Sequence, residues 1–268
     1  MLKYFQRTKG RDAVKYNIEQ RKSKILELLR TNGEVRVAEL SRIFNISEVT
    51  VRFDQESLES QGLLTRVYGG AVSANKFYVD MDLHERYTTN AAEKKELAEQ
   101  VASLINDNDT LMLNAGTTIT YILRAIKGRR NISIVTNSIT NANEAAAYNG
   151  FNVILLGGTI DTKYQFTYGN DAIAQLNRYH ASKAILSVDG LSDRSGLTLY
   201  YSNEVDIIRG MISLSDRVII AADRHKIGRS TFAQIAPLES VQTLVTNRGA
   251  DAEQLAAIRE RGIEIVGG

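Results

Sequence analysis

The sequence predicts two units of different class: a helical head closed by a short hairpin, then a larger α/β body on a mostly parallel sheet. Three observations predict this. Residues 18–58 carry apolar positions at helical spacing in three separate stripes. From residue 93 onward, short continuous apolar runs alternate with helical stripes, which is the pattern of parallel strands covered on both faces. Charge divides along the same line, with 13 Lys or Arg against 9 Asp or Glu in residues 1–72, and 20 against 22 in the remainder.

Composition narrows the classes further. At 268 residues and 43% hydrophobic, the chain can bury two cores, and the lack of cysteine excludes disulfides and thiolate metal sites. No apolar run approaches the roughly 18 residues of a membrane span, and no signal-peptide core opens the chain. His84, His180 and His225 are too scattered for a metal cluster. A cytoplasmic protein without metal or other cofactor is expected.

Residues 1–16 read as a basic arm carrying Lys3, Arg7, Lys9, Arg11 and Lys15. The first stripe, Ile18, Ile25, Leu28 and Leu29, stops at Asn32-Gly33, a left-handed cap signal. Val37, Leu40, Ile43 and Phe44 form the second, ended by a tight turn at Asn45-Ile46. A third helix starts at Ser47, whose hydroxyl is suited to cap it. With Val51 inward, a step of about 100° per residue turns Val49, Arg52, Phe53 and Glu56 outward, while Ile46 and Leu58 stay with the core. An outward stripe that pairs an aromatic ring with a guanidinium suits a helix entering a nucleic-acid groove. Residues 63–72 then make two extended runs around Gly69-Gly70, a wing.

Residues 17–72 thus have the order of a winged helix-turn-helix. Ser47, Glu48, Val49, Thr50, Arg52 and Phe53 form its expected reading surface, and Arg36, Arg66 and Tyr68 its phosphate contacts. The expected partner is a double-stranded DNA operator.

The runs RKSKILELL, VAELSRIFNISEVTVRFD and LESQGLLTRVYGGAV resemble, almost end to end, the winged head of DeoR-family bacterial transcriptional regulators. Two departures stand out. The family usually has Arg-Arg-Asp-Leu in its recognition helix, where this chain has Arg52-Phe53-Asp54-Gln55. It usually has His before Gly-Gly, where this chain has Tyr68. The resemblance implies DNA binding with a changed operator preference. Phe53 either meets a thymine methyl or packs against the wing or the arm; both readings stay open here.

Residues 73–92 read as a polar linker without regular periodicity, and 93–268 as the effector-binding body. Its first helix runs through Leu97, Val101, Leu104 and Ile105, with others at 119–126, 139–148, 172–179, 204–214 and 252–261. Strands are expected at 110–113, 132–136, 153–156, 184–188, 217–222, 243–246 and 264–266. Ligands of such sheets sit outside the carboxyl ends of the strands. The loops there supply glycines for close approach of an anion, helix N-termini with N–H groups and positive potential, and hydroxyl donors. The candidate effector residues are Asn114, Gly116, Thr117, Thr118, Asn137, Gly157, Gly158, Asp189, Glu204, Asp223 and Lys226. Such a rim suits a phosphorylated polyol, with Lys226 and N–H groups on the phosphate and carboxylates accepting from hydroxyls.

Residues 80–266 also resemble the DeoR-family effector domain, which is similar in fold to ribose-5-phosphate isomerase, through NAGTT, TNS, LGGT, SVDG, GLT and ADRHKIG in family order. The family commonly has Asp-Ser-Gly-Thr-Thr at 114–118 and Asp-Ser-Ser-Lys at 223–226. Both departures imply an altered effector that is still anionic. The resemblance implies a repressor of a carbohydrate catabolic operon, released by a sugar phosphate. It also implies a homo-oligomer, dimer or tetramer, in keeping with the symmetry of helix-turn-helix operators. The isomerase-like fold raises a second reading, a sugar-phosphate isomerase with an attached head, using Asp189, Glu204 and Lys226. Leu191-Ser192 stands where such isomerases carry a denser acidic cluster, so no catalytic residue is expected.

Overall fold

The computed structural model describes residues 16–60, 63–73 and 81–268. The chain forms two compact units, divided between Asp80 and Met81. Expectations for residues 1–15 and 74–80 lie outside the described residues.

In the first unit, α1 (Ile18–Asn32), α2 (Val37–Phe44) and α3 (Glu48–Ser60) surround a core of Ile25, Leu29, Leu40, Phe44, Val51 and Leu58. Gly33 at φ 75° and Asn45 at φ 52° end α1 and α2 in the left-handed region, as their sequence signals predict. Ile18 and Ile43 depart from expectation and are exposed, the first because it opens its helix and the second because it lies at the edge of its stripe. Arg21 donates to both carboxylate oxygens of buried Asp54, at 2.7 and 3.0 Å, and so ties α1 to α3.

The wing is larger than the sequence suggests. Strand β1 (Glu34–Arg36) joins β2 (Leu64–Val67) and β3 (Gly70–Ser73) in an antiparallel sheet of order β1-β3-β2. Gly70 is required by this closeness, since a Cβ there would stand 2.1 Å from the Val35 carbonyl oxygen.

The second unit opens with α4 (Leu83–Thr88), held by a capping box between Asp82 and Glu85. Tyr87 stacks on Tyr121 at 5.0 Å between ring centroids. Within the segment 73–92 read as a linker, residues 81–92 therefore belong to the body. The polar exposed face of a six-residue helix hid it from periodicity.

There follow α5 (Ala91–Ala102), β4 (Thr110–Leu113), α6 (Thr117–Ala125), β5 (Ile132–Thr136), α7 (Ile139–Ala146) and β6 (Phe151–Leu155). A hairpin of β7 (Thr159–Asp161) and β8 (Phe166–Tyr168) leads into α8 (Asn170–Leu176) and β9 (Ala181–Leu186). Next come β10 (Gly190–Ser192), β11 (Gly196–Leu199), α9 (Val205–Ser213), β12 (Ser215–Ala221), β13 (Ala233–Ala236), β14 (Thr243–Val245), α10 (Ala252–Glu260) and β15 (Glu264–Val266).

The main sheet is parallel throughout, with order β15-β14-β12-β9-β4-β5-β6. Alternate residues of its strands feed two cores. Leu111, Leu113, Ile185 and Ile219 pack with Leu97, Val101, Ile119 and Ile122 from α5 and α6. Met112, Leu186 and Ile220 pack with Leu176, Ile208 and Met211 from α8 and α9. From β4 the chain runs outward through β5 and β6, then returns to β9 and runs the other way. The topological switch point thus lies between β4 and β9, where such sheets open a crevice for ligands.

Candidate functional site

The recognition helix presents the face that its periodicity predicts. Ser47 Oγ accepts from the Thr50 N–H at 3.1 Å, capping α3. Val49 and Phe53 are 61% and 66% exposed, with Arg52 and Glu56 exposed beside them. At that exposure Phe53 is not packed into the wing; the reading that sets it against the arm falls on residues outside those described. Arg52 donates to Glu48 one turn back at 3.2 Å. On the wing, Tyr68 is fully exposed. The Arg66 N–H and Nε donate to Glu59 at 2.8 and 2.7 Å, and that pairing holds the guanidinium above its ordinary pKa. Arg36 is exposed at the junction of β1 and α2.

In the body, the strand ends flanking the switch point converge. Asn114 after β4 donates to the Ser187 carbonyl at 3.0 Å and accepts from the Ser187 N–H at 2.8 Å. These two bonds brace β4 against β9, and the Asn114 side chain also helps to hold the Glu204 carboxylate. Glu204 is buried and accepts from the Ala115 N–H at 2.9 Å and from Asn137 Nδ2 at 3.1 Å. Burial pushes its carboxyl up to about 7, against the lowering effect of those two donors, with Asp189 nearby adding to the rise. Asn137 Oδ1 and Asp223 Oδ2 are buried without hydrogen-bond partners among the described residues. Asp189 accepts from the Tyr200 N–H at 3.0 Å.

The cationic side of this crevice holds a residue the site expectations lack. Lys226, buried, lies 3.4 Å from Ser187 Oγ and 4.0 Å from Asp223 Oδ2. Lys94 on α5 is buried too, donating to the Arg86 carbonyl and, at 2.7 Å, to the Thr89 carbonyl. Burial first, and then the charge of Lys226, bring its ammonium down to about 8. Thr117 Oγ1 donates to the same Arg86 carbonyl at 3.3 Å, which puts Lys94 beside the first turn of α6. Thr118 is buried in that turn and Gly116 stands against Ser187. A signal for Lys94 exists in the sequence: it shares the stripe of Leu97, Ala98 and Val101, where a charge is out of place.

Gly157 and Gly158 lie at the β6 end of the rim, where Thr167 links the Leu156 carbonyl to Asn137. They follow the edge strand β6, two strands from β4, and their smallness has a packing reason. A Cβ at Gly158 would stand 2.6 Å from the Tyr168 carbonyl oxygen, and one at Gly157 would stand 3.0 Å from Gln175.

Residues 21–77 match the DeoR-like helix-turn-helix domain, and residues 89–248 match the DeoR C terminal sensor domain. The chain belongs to the DeoR family. The HTH-type transcriptional regulator YulB of Bacillus subtilis (strain 168) is 32% identical, over 92% of this chain and 96% of its own. The glycerol-3-phosphate regulon repressor of Escherichia coli (strain K12) is 27% identical, over 92% of this chain and 97% of its own. Ribose 5 phosphate isomerase A from Neisseria gonorrhoeae is 17% identical over 50% of this chain and 52% of its own, with a TM-score of 0.38. This DeoR-family chain is a DNA-binding transcriptional regulator with a ligand sensor domain, and operator DNA is its partner. No helix among the described residues is long and apolar enough to cross a membrane.

Proposed function

We propose that this regulator is a cytoplasmic repressor of a carbohydrate catabolic operon, released from its operator by a phosphorylated sugar or polyol bound at the switch point. One observation carries the reading. Two buried lysines, Lys94 and Lys226, gather by the first turn of α6 with Asp223 as a nearby carboxylate, and Asn137 Oδ1 in the same crevice is buried without a donor among the described residues. Like charges buried together are costly unless an anion joins them. In this reading Lys94, Lys226 and the first N–H groups of α6 take the phosphate, while Glu204, Asp189 and Asn137 Oδ1 accept from hydroxyls. A relative named for a glycerol-3-phosphate regulon fits that chemistry. The protein acts as a homo-oligomer, a dimer or tetramer whose paired heads meet a two-fold operator.

The test uses the full chain, an operator selected from a random-sequence DNA pool, and a panel of sugars with and without phosphate. At least one phosphorylated compound is expected to raise the melting temperature and to weaken operator binding, by a coupling of about 1–3 kcal/mol. Its unphosphorylated parent should do neither, and Lys226→Met should abolish the response. A panel that leaves the melting temperature unmoved, or a ligand that tightens operator binding, overturns the reading.

A further inference from the structure

Between α3 and the wing lies a slot of about 280 Å³, with Arg52, Gln55, Glu59, Arg66, Gly69 and Gly70 on its walls. Gln55 is 1% exposed, and its Nε2 is buried with no hydrogen-bond partner among the described residues. A buried donor left unpaired weakens a fold, whereas an apolar side chain of the same length would fill that position without the defect. The amide therefore calls for an acceptor that arrives from outside. Arg52 and Arg66 stand above it, and the one carboxylate on the slot, Glu59, is occupied by the N–H and guanidinium of Arg66.

The shape of the DNA duplex says what arrives. A helix in the major groove and a wing reaching the adjacent minor groove straddle the sugar-phosphate strand that separates the two grooves. That strand crosses the space between α3 and β2, which is where the slot opens. We propose that the slot takes one phosphodiester of the operator backbone and that Gln55 Nε2 is the donor at its floor. Arg52 and Arg66 flank the phosphate and supply its countercharge. Gln55 contributes to affinity at every operator sequence, because a phosphate carries no base identity.

The test compares full-length wild type, Gln55→Leu and Gln55→Glu on one operator and on point variants of it. Gln55→Leu is expected to keep or raise the melting temperature while weakening binding about tenfold, equally on all operators. The slope of log affinity against log salt should stay as in wild type, since no charge is lost; Arg66→Ala should reduce it by about one. Gln55→Glu should weaken binding further by placing an anion against the phosphate. Unchanged affinity in Gln55→Leu, or a loss confined to some operator variants, overturns the assignment. Should a variant fail to fold, wild-type binding to operators carrying a single neutral methylphosphonate decides. One position at the groove boundary must weaken wild type, and it must cost Gln55→Met distinctly less. No such position overturns the proposal.

Discussion

The carboxyl of Glu204 is buried at the point where the β4 and β5 loops meet, and both of its neighbours there donate to it. These donors, with the Asn114 side chain, do not offset the loss of water, so its pKa is pushed up to about 7 from the ordinary 4.5. The folded protein thus holds a proton that the unfolded chain releases between those values. Stability contributed by this group is complete below pH 4.5 and is lost as pH rises through 7, by at most ~3 kcal/mol. Gln at this position keeps an acceptor for the Ala115 N–H without a charge. Urea unfolding of the full chain at pH 5 and pH 8 should show a smaller drop for Glu204→Gln than for wild type; parallel drops would sink the assignment. Asn114 answers a different demand beside it. The amide donates to the Ser187 carbonyl and accepts from its N–H, whereas an ionised Asp at 114 only accepts and would lose one bond of the brace. The chain's departure from the family's usual Asp thereby has a structural meaning, which its loop sequence alone did not disclose.

At the scale of elements, α3 is positioned from behind. The Arg21–Asp54 pair is buried, with 10% and 7% of the side chains exposed, and it fixes the rotation that turns Val49, Arg52 and Phe53 outward. Arg21→Met leaves the Asp54 charge buried without its cation, a loss of about 3–5 kcal/mol. Such a head should lose operator binding and become sensitive to protease, while the thermal response to effector persists in the sensor unit. The double variant Arg21→Met, Asp54→Leu should recover protease resistance; if it does not, the pair is not what holds α3. The main helices and all seven strands of the large sheet were legible because each has a stripe or an apolar run several residues long. The short strands β1, β7, β8, β10, β11 and β13 lie outside the large sheet among polar and glycine residues, with no apolar run to mark them, and α4 has no buried stripe. The candidate site was legible where a strand end carries small donors. Lys94 escapes a reading confined to strand-end loops, because its signal is a charge on the buried stripe of α5.

For the whole molecule, a regulator of this family works only if its two units exchange free energy. Any effector that weakens operator binding by some factor must itself be weakened by operator DNA by the same factor. The groups nearest the proposed phosphate are well placed to pass that coupling on. Thr117 and Lys94 both donate to the Arg86 carbonyl of α4, and the Arg86 guanidinium lies 4.4 Å over the Tyr164 ring. Tyr164 shares a hydrogen bond with Tyr201 and donates to the Met81 carbonyl at 3.3 Å, where the sensor unit begins. A ligand that draws Lys94 or Thr117 toward itself must change what holds α4, and α4 follows residues 74–80 in the chain. Calorimetric titration of effector into the full chain, alone and saturated with operator DNA, should therefore give affinities differing about 5–150-fold, matching the loss of operator affinity measured in the reverse titration. Equal effector affinities in the two titrations would mean that the ligand site and the DNA head are uncoupled, and that release of the operator has another cause.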